Sequence, residues 1–384
     1  MKVLIITENL GRGGAERVLS YLSQQSQLDV EYVFLSLTPI VKYRFNSRIY
    51  VIGRGVLSIN LPMLYRVLLH EKPDVVMGST HLGRYMTILC LGRKKVTRLG
   101  IHPDAVLKGS LGPLNWLLHL LAIGISKRVI TPSVEIKQAL TNRWKIPPSK
   151  VVVIRNPVDV EKVSVMAEEP LDSRDSQLFS ENLPVILSVG RLHRSKGHWH
   201  LIRIFKKVNQ QIPESRLVLV GDGPFAMYLV GLASRLELQN KVFFLGWRPN
   251  PFKYMSRSRL FCLPSLFEDL PNVVLEALSC GLPVMSSDCI SGPREILAPS
   301  SQRPKHLFKP EYGEYGILMP VFDGKMHGPD SPLTWQEEIW ADEIVRVLND
   351  ESILRIYRDR GLKRARDFDV KRIARLYAEV FRGL

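Results

Sequence analysis

Arg191 and Lys196 stand five residues apart in GRLHRSKG, residues 190–197. Two fixed cations beside a glycine turn are what a departing diphosphate needs at the oxygens where negative charge accumulates. Two carboxylates, Glu268 and Glu276, stand eight positions apart in FCLPSLFEDLPNVVLEALSCGLPVMSSDCISGPREIL, residues 261–297. The first falls on a loop after a strand and the second on the helix that the loop starts. In an open α/β sheet, the carboxyl ends of the strands are where ligands bind. The competing reading of all four residues is ordinary solvated surface.

The elements around them follow from pattern. Leu260–Leu263 is a buried strand stopped by Pro264, which cannot donate to a ladder. After a loop, residues 265–271, the apolar residues Val273, Val274, Ala277 and Leu278 recur at helical spacing. Gly281 and Pro283 end that helix, and Val284–Ser287 is the next strand. Upstream, residues 184–189 form a strand that runs into Gly190, where a tight turn is permitted. Arg216–Val220 is another strand, ending in the turn GDGP with Gly221 and Gly223; Lys241–Leu245 follows as a further strand.

The amino-terminal part repeats the scheme. Lys2–Thr7 is a strand, followed by GRGGAER (residues 11–17) and an amphipathic helix over 17–24. This geometry lets backbone approach a phosphate or sugar, but the spaced glycines and ribose acid of a dinucleotide site are missing. Strand patterns recur at 30–36, 74–78, 96–99, 128–131 and 150–154, with helical patterns between several of them. Such alternation predicts doubly wound parallel sheets. The 96–99 strand ends in GIHPD, which puts His102 at a strand's carboxyl end, with His81 and Arg98 as competitors for a functional role and a solvated loop histidine as the plain reading.

At 384 residues, the chain is too long for one ordinary core. Its 45% hydrophobic and 23% charged content is that of a globular protein, and its four cysteines have no metal or disulfide spacing. Met1 runs directly into KVLIIT with no charged-then-apolar leader, and no apolar run is long enough to span a bilayer, so a cytoplasmic protein is expected. The net charge is +16, unevenly spread: residues 1–163 carry 23 Lys and Arg against 10 Asp and Glu, the remainder 30 against 27. A basic front half suggests nucleic acid, an anionic membrane or a lipid-phosphate substrate as partner. The apolar stretch 111–125, LGPLNWLLHLLAIGI, reads either as a core or cleft helix or as a monotopic membrane contact through Trp116 with Lys127 and Arg128 at the headgroups.

The pattern F-E-x-L-P-x-x-x-L-E-A over 267–277, G-R-x-x-x-x-K-G over 190–197 and G-G-A-E-R over 13–17 resemble glycosyltransferase family 4, a large group of retaining enzymes with the GT-B fold. The resemblance covers nearly the whole chain and is strongest over 184–297. It implies two Rossmann-like doubly wound α/β domains facing a cleft: 1–163 for the acceptor, a linker at 164–183, and 184–365 for the nucleotide-sugar. A last helix, 366–384, would cross back to the first domain. By resemblance, Glu268 holds hydroxyls of the transferred sugar and Glu276 the ribose. Main-chain N–H groups around Leu270, Pro271, Asn272 and Val273 face sugar and diphosphate, with Gly14, Gly190, Gly221 and Gly223 lining the donor. Arg191, Lys196, Glu268 and His102 are the implied catalytic set, and Gly13, Glu16 and Arg98 the implied acceptor or cleft residues.

The same resemblance implies transfer of a hexose or N-acetylhexosamine from a UDP-sugar to a lipid-linked or polysaccharide acceptor at the inner face of the cytoplasmic membrane, with no metal cofactor. The formal D-x-D at Asp367-Phe368-Asp369 falls between two helices, far from a strand end, and is not expected to bind metal. A GT-B epimerase or phosphorylase is the nearest alternative. A basic nucleic-acid-binding protein would explain the charge but not Glu268 and Glu276, and the basic-aromatic interleaving of such proteins is missing.

Overall fold

Aliphatic runs such as KVLIIT and EYVFLS are buried on both faces, as strands inside a parallel sheet must be. In the computed structural model, residues 1–11, 13–25, 29–53, 60–100, 112–180 and 183–384 are described. His102 lies outside them. The chain forms two units, Met1–Asp159 with Phe368–Leu384, and Val160–Asp367.

Among the described residues, unit 1 is built on seven parallel strands: β1 (Lys2–Thr7), β2 (Glu31–Ser36), β3 (Arg48–Val51), β4 (Val75–Gly78), β5 (Lys94–Arg98), β6 (Arg128–Thr131) and β7 (Val151–Val153). Their order is β3-β2-β1-β4-β5-β6-β7. Alternate residues serve opposite faces. Val3, Ile5, Phe34, Met77 and Val96 pack on one side with the helices Gly14–Ser23 and Val370–Arg382; Leu4, Ile6, Val33, Leu35 and Val76 pack on the other with Leu61–Glu71. The last helix, Val370–Arg382, buries Ile373, Ala374, Tyr377, Ala378 and Phe381 at helical spacing in unit 1. The order reverses between β1 and β4, and the carboxyl ends there form the switch point of the sheet.

Unit 2 repeats the plan with β8 (Val185–Val189), β9 (Arg216–Val220), β10 (Val242–Gly246), β11 (Leu260–Leu263), β12 (Val284–Ser287), β13 (Glu311–Tyr312) and β14 (Ile317–Met319). The order is β10-β9-β8-β11-β12-β14-β13, with β13 antiparallel to β14. Its switch point lies between β8 and β11. Strands β3 and β13 escape pattern reading because they are short edge strands with partly exposed, mixed sequences.

The stretch 164–183, expected as a linker, belongs to unit 2, which begins at Val160 rather than after 163. The helix Val160–Ala167 packs on the helices Phe252–Met255 and Asn272–Ser279. Buried Asp175 accepts from Tyr254 Oη at 2.7 Å, and Asn250 Nδ2 donates to the Met166 carbonyl at 2.7 Å. Its polar residues are therefore fixed by partners some eighty positions away, which composition cannot reveal. The D-x-D also has local work: Asp367 pairs with Arg364 at 2.8 Å, Phe368 is buried, and Asp369 caps the last helix through the Lys371 amide.

The helix Gly112–Ile125 is neither a core helix nor a bare surface one. It exposes Leu114, Trp116, Leu117, Leu121 and Ile125 while burying His119, Ala122 and Ile123. Behind the unit 2 sheet, buried Glu337 sits in a capping box with Thr334 and receives His200 Nδ1 at 2.7 Å and Arg203 Nε at 3.0 Å. Burial would raise its carboxyl, but those hydrogen bonds outweigh it and hold the group at about 2 against an ordinary 4.5. Its folded value is depressed, so its stabilisation is complete above about 4.5 and is lost as pH falls toward 2. The contribution is on the order of 3 kcal/mol. Acid unfolding followed by circular dichroism should steepen across that window, and E337Q should be less stable at neutral pH with a flatter acid limb. An unchanged limb in E337Q would show that another carboxylate governs it.

Candidate active site

Two loops at the unit 2 switch point are pressed together by backbone. After β8, a single 3₁₀ turn, Arg194–Lys196, ends at Gly197, whose φ of +64° starts the helix His198–Gln211. A Cβ at Gly197 would collide with the Pro264 carbonyl oxygen at the end of β11, so only glycine fits. The Leu266 amide then donates to the Ser195 carbonyl at 2.8 Å. This stitching brings Lys196 Nζ to 2.5 Å from Glu268 Oε1. Ser265 Oγ donates to the same oxygen at 2.7 Å. Lys196 and Ser265 thus converge on Oε1, while Glu268 Oε2 makes neither contact.

The second turn is placed the same way. Gly221, with φ +148°, leaves no room for a Cβ beside the Gly190 carbonyl oxygen, and the Leu192 amide donates to the Asp222 carbonyl at 2.9 Å. Gly190, Gly221 and Gly223 therefore form one close-packed backbone surface, with Arg191 exposed beside it. Beyond Glu268, the helix Asn272–Ser279 starts directly after Pro271, so Leu270–Val273 lie at a helix N-terminus, the end that favours anions. Glu276 is buried on that helix. Two serines brace the loop from the β12 side: Ser287 Oγ donates to the Ser265 carbonyl and Ser291 Oγ to the Asp269 carbonyl, the latter at 2.8 Å. Burial, with Lys196 nearby, pushes His198 down to about 3, so it is neutral.

In unit 1, Gly13 precedes the helix Gly14–Ser23, and the Glu16 carboxylate folds back over it. Burial raises the Glu16 carboxyl, partly offset by Arg98. Arg98, at the end of β5, is buried and donates to Tyr377 Oη at 2.9 Å and Asn156 Oδ1 at 2.8 Å. Gly13, Gly14, Glu16 and Arg98 thus belong to unit 1, and Gly190, Arg191, Lys196, Gly221, Gly223, Glu268, Leu270–Val273 and Glu276 to unit 2.

Residues 12–162 match the model for Glycosyltransferase Family 4, and residues 171–311 that for Glycosyl transferases group 1. The chain is a family 4 glycosyltransferase. It is 36% identical over 258 residues to an uncharacterized glycosyltransferase of Methanocaldococcus jannaschii, covering 66% of this chain and 63% of that one. It is 26% identical, over 97% of both chains, to the Campylobacter jejuni N-acetylgalactosamine-N,N'-diacetylbacillosaminyl-diphospho-undecaprenol 4-alpha-N-acetylgalactosaminyltransferase. Anabaena HepE in complex with UDP-glucose superposes with a TM-score of 0.80 at 20% identity over the whole of both chains, which makes the fold GT-B.

For this glycosyltransferase, sequence reading missed Ser265, Ser287 and Ser291, although Ser265 stands three residues before Glu268. It also missed Tyr377, which reaches Arg98 from a helix 279 residues further along the chain. Distance in sequence left no signal for that contact. K196A should cut transfer about a hundredfold or more with the fold intact. E268Q should impair transfer far more than UDP affinity, and E276A should weaken UDP binding. Calorimetric titration of UDP with each variant checks the division of roles, and equal affinities in E268Q and E276A would abolish it.

Proposed function

We propose that the enzyme transfers a hexose or N-acetylhexosamine from a UDP-sugar to a hydroxyl of a lipid-linked or polysaccharide acceptor, with retention of configuration and without a metal. The observation that carries this reading is the convergence of Lys196 and Ser265 on Glu268 beside the Gly190–Gly221 backbone and a helix N-terminus. Cations and amides suit the diphosphate, and the carboxylate suits sugar hydroxyls. The bound UDP-glucose named for HepE and the diphospho-undecaprenol named for the Campylobacter jejuni enzyme support donor and acceptor respectively. In the proposed step, the acceptor oxygen bonds to the anomeric carbon as the bond to the diphosphate breaks. The acceptor's proton passes to the departing diphosphate, whose charge Arg191 and Lys196 stabilise.

The acceptor would be met at the inner face of a membrane. Among the described residues, no helix is long and apolar enough to cross one. The helix Gly112–Ile125 offers an exposed apolar face, and Arg93, Lys94, Lys95, Lys127 and Arg128 supply cations; Lys108 lies outside the described residues. Each such cation near an anionic leaflet contributes roughly 1 kcal/mol, enough in sum for reversible attachment.

Thermal-shift screening of UDP- and GDP-sugars, followed by donor hydrolysis and NMR of the product anomer, tests the reaction. An inverted anomer, or stabilisation by GDP- but not UDP-sugars, would overturn it. Turnover should survive EDTA; loss restored only by Mn²⁺ or Mg²⁺ would establish metal assistance. Sedimentation with vesicles should rise with anionic lipid, fall with salt and weaken when Arg93, Lys94 and Lys95 become glutamate. Equal recovery on neutral and anionic vesicles would show that the charge has another use.

A further inference from the structure

Unit 1 holds a pair of histidines that no step above uses. His81 opens the helix His81–Met86 just past the carboxyl end of β4, and His119 lies on the helix Gly112–Ile125. His81 Nδ1 is 3.1 Å from His119 Nε2, with ring centroids 5.0 Å apart and nearly perpendicular. The Tyr85 ring packs edge-on to His119 at 5.1 Å, and its hydroxyl donates to the Asn115 carbonyl at 3.3 Å. His119 is fully buried, two residues from exposed Leu117 on one side and exposed Leu121 on the other. Its imidazole therefore faces inward from the helix whose outer face is apolar and exposed.

We propose that His81 is an acceptor-binding residue whose Nε2–H donates to a hydroxyl oxygen of the acceptor carbohydrate, and that His119 is the positioning residue that fixes its tautomer and ring plane. The proposal rests on the preceding reading that unit 1 receives a glycosyl acceptor. Burial pushes His119 down to about 2, with Arg84 and His81 adding to the effect, and lowers His81 as well, so both rings are neutral. Between two neutral imidazoles one facing nitrogen donates and the other accepts. His119 Nδ1 is buried and has no hydrogen-bond partner among the described residues. A proton there would be an orphaned N–H, the costlier arrangement, whereas a proton on Nε2 is satisfied by His81 Nδ1. His81 then carries its own proton on Nε2.

The neighbours select the ligand class. Glu8 and Arg84 are the charged groups that act on His81, and Glu8 and Arg98 are those that act on Glu16. The Glu8 amide donates to Thr80 Oγ1 at 2.8 Å, and Glu8 Oε1 accepts from the Leu82 amide at 3.0 Å. Glu8, Glu16, His81 and Arg98 thus gather at the carboxyl ends of β1, β4 and β5, the switch point of the unit 1 sheet. Carboxylates accept hydroxyl protons well, while the histidine supplies the complementary donor. That combination fits the hydroxyls of a sugar ring.

The test uses the full enzyme with a UDP-sugar that passes the screen and N-acetylglucosaminyl-diphosphoundecaprenol as acceptor. H81L should raise the acceptor KM about tenfold while kcat falls less than threefold. H81Q, which keeps an N–H near the Nε2 position, should return KM to within about threefold of wild type. H119F should raise KM by an intermediate factor. UDP affinity and the thermal transition report folding in each case. Long-range ¹H–¹⁵N spectra of the free wild-type enzyme should show both histidines as neutral Nε2–H tautomers at pH 7, and H119F should release His81 into a tautomer mixture. A wild-type KM in H81L, or a His119 protonated on Nδ1, would overturn the proposal. If wild type transfers nothing to this acceptor, the choice of this lipid-linked acceptor fails, and the tautomers then decide the histidine pair: a His119 protonated on Nδ1 overturns it.

Discussion

Everything at the unit 2 switch point depends on how closely the loop after β8 can approach the end of β11. Gly197 meets the Pro264 carbonyl without a side chain between them, and Leu266 hydrogen-bonds back to Ser195. Only at that separation can a lysine on one loop contact a glutamate on the other directly. Lys196 and Glu268 are then mutually neutralised before any ligand arrives, and Ser265 holds the shared oxygen. A diphosphate entering such a place would find the cation already held, and a sugar would find a carboxylate whose other oxygen takes no part in the Lys196 and Ser265 contacts. Preorganisation of this kind costs no reorganisation at the moment of reaction.

Unit 1 uses the same sheet plan for different chemistry. Its switch point sets carboxylates beside a histidine and a buried arginine, where unit 2 sets them beside a lysine, a helix N-terminus and glycine turns. Arg98 is kept in place by groups from far along the chain, Asn156 after β7 and Tyr377 on the last helix. The last helix therefore completes the unit 1 core and also orients a candidate site residue. Removing it would strip one hydrogen bond from a buried guanidinium as well as exposing apolar surface, and a buried charge tolerates the loss of a partner poorly.

Helix Gly112–Ile125 links the two roles of unit 1. Its outward side chains are apolar and exposed, while His119 points inward to His81. A helix that touches a lipid surface with one face and orients an acceptor-binding residue with the other would bring a lipid-linked substrate and its recognition group together on a single element.

Local pattern in the sequence determined most of the architecture. Buried parallel strands are continuous aliphatic runs bounded by Gly, Pro or charge, so β1, β6, β9, β11 and β12 could be read to the residue. The glycines at 190, 221 and 223 could be read as turns, and the residue types of Arg191, Lys196, Glu268 and Glu276 as chemistry, because both are local properties. What only the tertiary structure decided is which of these meet. The 2.5 Å contact of Lys196 with Glu268 spans 72 positions, the packing of 164–183 into unit 2 joins residues about eighty apart, and the Arg98–Tyr377 bond joins residues 279 apart. Sequence spacing carries no information at such separations. They are set by the strand order of each sheet, which places the ends of β8 and β11, or of β1, β4 and β5, side by side.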